Sequence, residues 1–126
     1  MLRIHTIQVT PFMQNCRIVW CDSTFEAAII DPGGEASRIW SFVQEGKLSC
    51  SQIWLTHSHL DHCGGVASLM RSATCELWAH SSERFFRENL EAICLQYGMP
   101  RGDMENCPEP GHELVDCAEL SVGNER

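Results

Sequence analysis

Residues 56–65 read T-H-S-H-L-D-H-C-G-G, so three of the chain's six histidines and one aspartate fall within six positions. Imidazole nitrogens and a carboxylate form a donor set suited to zinc, with iron or manganese as alternatives. On a strand leading into a loop, alternation puts His57 and His59 on one side, able to grip one ion together. A turn after Leu60 then swings Asp61 and His62 toward the same cavity from another angle. Gly64-Gly65 removes side chains where a helix must start close to that cavity. The bland alternative is a set of surface histidines on a polar loop. H-x-H-x-D-H between an apolar run and paired glycines argues instead for metal.

These donors need a frame. Residues 3–9 alternate roughly polar and apolar, as a half-buried strand does, and Pro11 ends the run. Residues 16–21 and 26–30 are two more strand-like runs, with the turn-prone Asp22-Ser23-Thr24 between them. That connection is too short for a crossover, so antiparallel pairing is expected. Asp31-Pro32-Gly33-Gly34 stops the third strand. A helix is expected over 35–45, with Ile39, Phe42 and Val43 as its apolar stripe and Gly46 as its terminator. A strand over 52–56 follows, and strand–helix–strand predicts a parallel pair. After the cluster come a short helix over 65–72 and a strand over 75–79. A second long helix then runs from 81 to about 96, with Phe85, Phe86, Leu90 and Ile93 inward and Gly98 and Pro100 as its stop. Residues 101–116 read as loop, and Leu120-Ser121-Val122 as the start of one more strand.

At 126 residues and 44% hydrophobic, the chain suits a single domain over 1–126. Its net charge of −8, from 17 acidic against 9 basic residues, argues against a nucleic-acid surface. The sequence lacks an apolar stretch long enough for a signal peptide or a membrane span, so a soluble, cytoplasmic protein is expected. Its eight cysteines, among them Cys21, Cys107 and Cys117, contain no C-x-x-C pair. Cys16, Cys50, Cys75 and Cys94 fall in or beside apolar runs and read as small buried hydrophobes.

Thr56–Gly65 resembles the T-H-x-H-x-D-H-x-G-G signature of the metallo-β-lactamase-fold hydrolases. Gln14-Asn15-Cys16, Ala28-Ile29-Ile30-Asp31-Pro32-Gly33-Gly34 and Gln52-Ile53-Trp54-Leu55-Thr56 extend the likeness. Together they are similar to the small glyoxalase II-like branch, the hydroxyacylglutathione hydrolase relatives, from Met1 to about Gly123. The resemblance implies an α/β fold, the first half of an αββα sandwich, with a mixed sheet and flanking helices. It implies a zinc-dependent hydrolase of thioester or related ester substrates. His57 and His59 would bind one metal ion, and Asp61 and His62 a second. Asp61 is the catalytic residue expected, and Asp31 would support the site from behind the ligands. A hydroxide between two ions would be the nucleophile.

The family also supplies a histidine in P-G-H-T-x-G, an aspartate in an S-G-D-like segment and a histidine in a G-H-G-like segment. Residues 66–126 match neither of the last two, so a truncated, N-terminal portion is expected. Pro110-Gly111-His112 imitates the first, but Glu113-Leu114 replaces T-x-G, and His112 reads as a loop histidine. His80 reads as structural or exposed, His5 as solvated, and Cys63 as packing rather than a ligand or nucleophile. Missing cover over Ile29, Ile30, Ile53 and Leu55 would favour self-association through an open sheet face. The alternative to an enzyme is a metal-binding half-domain completed by another chain or copy.

Overall fold

The computed structural model describes residues 1–99, 101–115 and 118–125. Strands β1 (Leu2–Val9) and β2 (Gln14–Cys21) form an antiparallel hairpin, registered from Leu2 opposite Cys21 to Val9 opposite Gln14. Thr10 and Met13 turn its tip with φ of 65° and 53°, which leaves Phe12 at the end of the hairpin. Strand β3 (Glu26–Ile30) pairs antiparallel with β2, as the short Asp22–Thr24 connection requires. Helix α1 (Ala36–Glu45) then crosses over to β4 (Ser49–Trp54), which runs parallel to β3. Helices α2 (Leu60–Cys63) and α3 (Val66–Ser72) lead to β5 (Glu76–Ala79), parallel to β4. Helices α4 (Arg84–Glu88) and α5 (Leu90–Gln96) precede β6 (His112–Glu113), parallel to β5. The strands stand in sequence order in one mixed, six-stranded sheet.

The two faces of this sheet differ, and side-chain alternation sorts the residues between them. Cys16 and Ile18 of β2, Ala27 and Ile29 of β3, and Ile53 of β4 join Ile39 and Val43 of α1 and Val66 and Leu69 of α3 in one buried core. The intervening positions Val19, Cys21 and Ala28 form a second, smaller cluster with Val122, flanked by Ile30 and Trp54. Ile29, Ile53 and Leu55, expected to lack cover, are therefore enclosed beneath the helices. Ile30 and Trp54 stand on the barer face, one residue out of phase with them.

Helix α1 opens without a cap from its own side chains. Asp103 supplies one from a distant loop, its carboxylate accepting from Glu35 N at 3.0 Å and Ala36 N at 3.2 Å. Negative charge at that position satisfies two amides the helix cannot pair and contributes about 1 kcal/mol. Among the expected stripe residues Ile39 and Val43 are buried, while Phe42 lies half-buried and stacks on His5 at 4.1 Å. His5, expected to be solvated, is exposed but uses this ring as a partner.

Several expectations need correction. Residues 101–116, expected as loop with His112 in it, carry the short strand β6 because His112 and Glu113 pair with the free edge of β5. The helix expected over 81–96 is broken into a 3-10 turn at Ser81–Glu83 and the helices α4 and α5, separated at Asn89. Its buried stripe is Arg87, Leu90 and Cys94, at helical spacing, so Phe85 and Phe86 turn outward. The stop expected at Pro100 lies outside the described residues. Leu120–Val122 is not a strand: Val122 makes an isolated bridge to Glu125, and Gln52 Nε2 donates to Ser121 O at 2.7 Å. That short turn lays Val122 over the second cluster. Finally, β4 ends at Trp54, so Leu55 and Thr56 lie beyond the strand expected to hold them.

Candidate metal centre

Asp31 organises the site. It follows β3 with φ of 54° and is buried, and its amide donates to Trp54 O at 3.0 Å. Its carboxylate accepts from Thr56 N at 2.7 Å, from Thr56 Oγ1 at 2.5 Å and from His62 Nδ1 at 3.0 Å. These three contacts join the end of β3 to both ends of the histidine-rich segment. The Thr56 hydroxyl spends its proton on Asp31, so toward His57 Nδ1, 3.2 Å away, it can only accept. Asp31 thus favours the Nδ1–H form of His62 directly and that of His57 through Thr56. In both rings Nε2 is left with its lone pair free.

The sequence places His57, His59, Asp61 and His62 together, and the structure brings them into one cluster. The His57 and His62 rings lie 3.8 Å apart and the His57 and His59 rings 4.7 Å apart. His62 Nε2 stands 3.8 Å from Asp61 Oδ2. Asp61 and His62 reach the cluster from the single turn of α2, the turn expected after Leu60, and His59 caps that turn in extended conformation. Burial pulls the His62 pKa down, but the Asp31 hydrogen bond and the charges of Asp31 and Asp61 outweigh it, and the net shift is upward. Among the described residues no three His, Cys, Asp or Glu side chains converge tightly enough to hold an ion unaided. The donor chemistry and the oriented Nε2 atoms fit a divalent ion such as zinc, while the coordination sphere is open.

Glycines make the tight turn possible. A Cβ at Gly33 would collide with the Asp61 carbonyl, and one at Gly65 would sit 2.8 Å from Pro32 O. Gly65 N donates to Pro32 O at 2.7 Å, so the Pro32–Gly34 turn lies backbone to backbone against the start of α3. The loop after α5 braces the same place. Met104 packs into the space beside Gly64, Glu105 N donates to Gly64 O at 2.9 Å, and Glu105 pairs with Arg71 at 2.5 Å.

Cys63 is fully buried, its thiol 3.6 Å from Ser58 O. The hydrogen bond with Cys107 and burial hold its pKa well above the ordinary thiol value, which suits packing and not nucleophilic attack. Cys16 and Cys94 are buried as expected, whereas Cys50 and Cys75 are half-buried with their sulfurs 3.5 Å apart. Cys117 lies outside the described residues.

Arg87 escaped the sequence reading. It is 2% exposed on α4, and its Nη1 donates to His80 O at 2.7 Å and lies 3.5 Å from Ser58 Oγ, between His57 and His59. Among the described residues it forms no ion pair. Only its place in the Arg87–Leu90–Cys94 stripe could have pointed inward, and an arginine in such a stripe is discounted by default. His80 is exposed and its Nδ1 accepts from Ser82 N. His112 belongs to β6, stacks on Trp78 at 4.3 Å and lies 3.5 Å from Glu76, so its ring is committed outside the cluster.

A profile of the Metallo-beta-lactamase superfamily matches residues 9–116, and the chain belongs to that superfamily. Among its relatives is hydroxyacylglutathione hydrolase GloC of Haemophilus influenzae, 39% identical over 103 residues, covering 81% of this chain and 48% of that protein. Another is the probable metallo-hydrolase YqgX of Bacillus subtilis, 29% identical over 91% of this chain and 53% of its own. The chain spans about half the length of these curated relatives. The crystal structure of BLEG-1 B3 metallo-beta-lactamase superposes with a TM-score of 0.82 at 26% identity, covering 96% of this chain and 57% of that one. TTHA1623, crystallised in a di-iron-bound form, superposes at 0.80 and 24% identity, covering 92% and 56%. The α/β sheet with flanking helices is thus the fold of this superfamily.

Proposed function

We propose that the chain is the metal-binding portion of a zinc-dependent hydrolase acting on thioesters or related esters, in the manner of its hydroxyacylglutathione hydrolase relatives. The observation that carries this reading is the Asp31 hub, which orients His57 and His62 with both Nε2 atoms free, that of His62 3.8 Å from Asp61 Oδ2. His57 and His59 would hold one ion, and Asp61 and His62 a second where two are bound, with iron or manganese as alternatives to zinc. Such ions polarise a carbonyl and lower the pKa of water near them.

The chain's own residues do the rest. Asp31 and Thr56 fix the tautomers of the ligating rings. Asp61 combines a ligand role with that of a carboxylate able to carry a proton beside the scissile bond. The small Gly33, Gly64 and Gly65 keep α2 pressed against the Asp31 turn.

A second reading follows from the open donor set and from coverage of about half of each relative. In it the chain binds metal without turnover until another chain or a second copy completes the site across the barer sheet face. Among the described residues no helix is long and apolar enough to cross a membrane. The proposed setting is the cytoplasm.

The test loads purified protein with zinc, counts bound metal and follows hydrolysis of a glutathione thioester. The hydrolase reading expects turnover that chelator and His59→Ala both abolish. Turnover unaffected by either would overturn it. Bound zinc without turnover, in a species larger than one chain, would favour the half-domain.

A further inference from the structure

Beside the cluster lies a cavity of about 220 Å³ that the histidine motif does not explain. Phe12 from the tip of the β1–β2 hairpin, Leu60, Phe86, Ile93 and Met99 supply its walls, and His59 and Asp61 are the only polar side chains lining it among the described residues. Among the described residues no lysine or arginine lines it. Phe12 is 45% exposed and Phe86 38% exposed, and both turn that exposed ring surface to the cavity. The break at Asn89 and the inward Arg87–Leu90–Cys94 stripe rotate Phe86 out of the core and toward the cluster. Its ring meets His59 edge-on at a centroid distance of 5.4 Å. Two elements far apart in sequence thus place apolar surface against residues proposed to act on the carbonyl.

We propose that this cavity binds the acyl chain of the substrate, and that the preferred substrates are thioesters of apolar, unbranched acids of medium length. This inference rests on the hydrolase reading and departs from it in the acyl group, which is not the hydroxyacyl group that the relatives' names give. A 2-hydroxyacyl group would bury a hydroxyl among carbon atoms, with only His59 and Asp61 to receive it, and both are committed to metal in that reading. An alkyl chain buries no polar group on entering and gains from leaving water. The shared chemistry of wall and chain sets the preference.

The experiment compares acetyl, butyryl, hexanoyl and lactoyl thioesters of glutathione with zinc-loaded protein. The expected kcat/KM rises about fourfold for each added methylene until the cavity is full. The hexanoyl substrate should exceed the lactoyl one by at least tenfold, and Phe86→Ala and Phe12→Ala should each flatten the series. A flat series, a preference for lactoyl, or an unchanged slope in both variants would overturn the proposal.

A binding measurement separates its failure from that of the hydrolase reading. Hexanoate and lactate are titrated into the protein, with and without zinc, while the Met99 methyl resonance is followed. Hexanoate should shift that resonance at concentrations at least tenfold lower than lactate, and Phe86→Ala should remove the difference. If no thioester is hydrolysed but this difference is present, the acyl cavity stands and the catalytic reading falls. Equal binding of the two acids would refute the cavity's role whatever the activity.

Discussion

Asp31→Asn tests the central device of the site with a change of one atom. The variant keeps an oxygen to accept from Thr56 N, now at 2.7 Å, but offers an amide NH₂ where Oδ2 accepts from Thr56 Oγ1 and His62 Nδ1. Facing a donor, His62 Nδ1 must become an acceptor, which moves its proton to Nε2 and blocks the atom proposed to meet metal. The Thr56 hydroxyl must turn to accept from the new amide, and its proton then points toward His57 Nδ1, inverting that ring as well. Loss of such supporting contacts lowers metal affinity by about 10- to 100-fold, equivalent to about 1.4–2.7 kcal/mol. Three charge-assisted bonds become weaker neutral ones, so the metal-free fold should lose about 2 kcal/mol. Zinc affinity is read by competition against a chromophoric chelator, and the tautomers by nitrogen NMR of the imidazoles. The wild type should show Nδ1–H at His57 and His62, and Asp31→Asn should show Nε2–H at both. Thr56→Val should invert His57 alone. Zinc affinity within twofold of wild type in Asp31→Asn, or unchanged tautomers, would refute the relay.

Gly33→Ala forces a methyl against the Asp61 carbonyl, so it should cost about 1–3 kcal/mol in a urea melt and weaken zinc uptake together with it; full stability would show that α2 can move away freely. Cys63→Ala should leave zinc uptake within about twofold and cost about 1 kcal/mol for the lost packing, and alkylating reagent should not label Cys63 in the folded protein. Abolished uptake would make Cys63 a ligand. The Arg71 hydrogen bond and charge hold the Glu105 carboxyl below its ordinary value, so the support it gives is present above the unfolded pKa and is lost as pH falls through the folded one. Protection of the Glu105 amide, bonded to Gly64 O, should therefore fall only as pH drops through the lowered Glu105 value, and Arg71→Met should move that loss to higher pH. An unmoved midpoint would show that Arg71 does not latch the loop.

Much of the frame was legible because its signals are local. The β2 and β3 runs, the turn at Asp22–Thr24 and the crossover through α1 follow from alternation, turn chemistry and a 3.6-residue stripe. The clustering of His57, His59, Asp61 and His62 was legible from their crowding, and Asp31's place behind them from the resemblance. The relay through Thr56 was not, because it depends on where one hydroxyl places its proton, which only the 2.5 Å and 3.2 Å contacts decide. The helix at 81–96 misled for a different reason. Phe85 and Phe86 are apolar and fit a stripe with Leu90 and Ile93, whereas the stripe actually buried begins at an arginine. Leu120–Val122 failed because a strand-like composition says nothing of whether an edge is available to pair with.

The misread residues carry more functional information than the well-read ones. Ile39, Val43, Ile53 and Leu69 obey periodicity because burial is their whole task. Phe86 departs from it, and the departure sets its ring against His59. Arg87 departs as well, and its guanidinium lies beside Ser58 between two proposed ligands. A buried cation without a carboxylate partner among the described residues is expensive to keep, and a neutral residue of similar length would avoid that cost. Its retention there fits a site that must hold the His57–Ser58–His59 turn against the helix behind it. The same logic applies to the sheet. Ile30, Trp54, Val19 and Val122 lie one residue out of step with the main core, and together with Leu2 and Ile4 they line an apolar depression on the opposite face. Alternation alone would have assigned them to that face, had the enclosed face been identified first. The helices decide which face is enclosed, and Asp31, at the end of β3, stands where the covered sheet meets the histidine-rich turn.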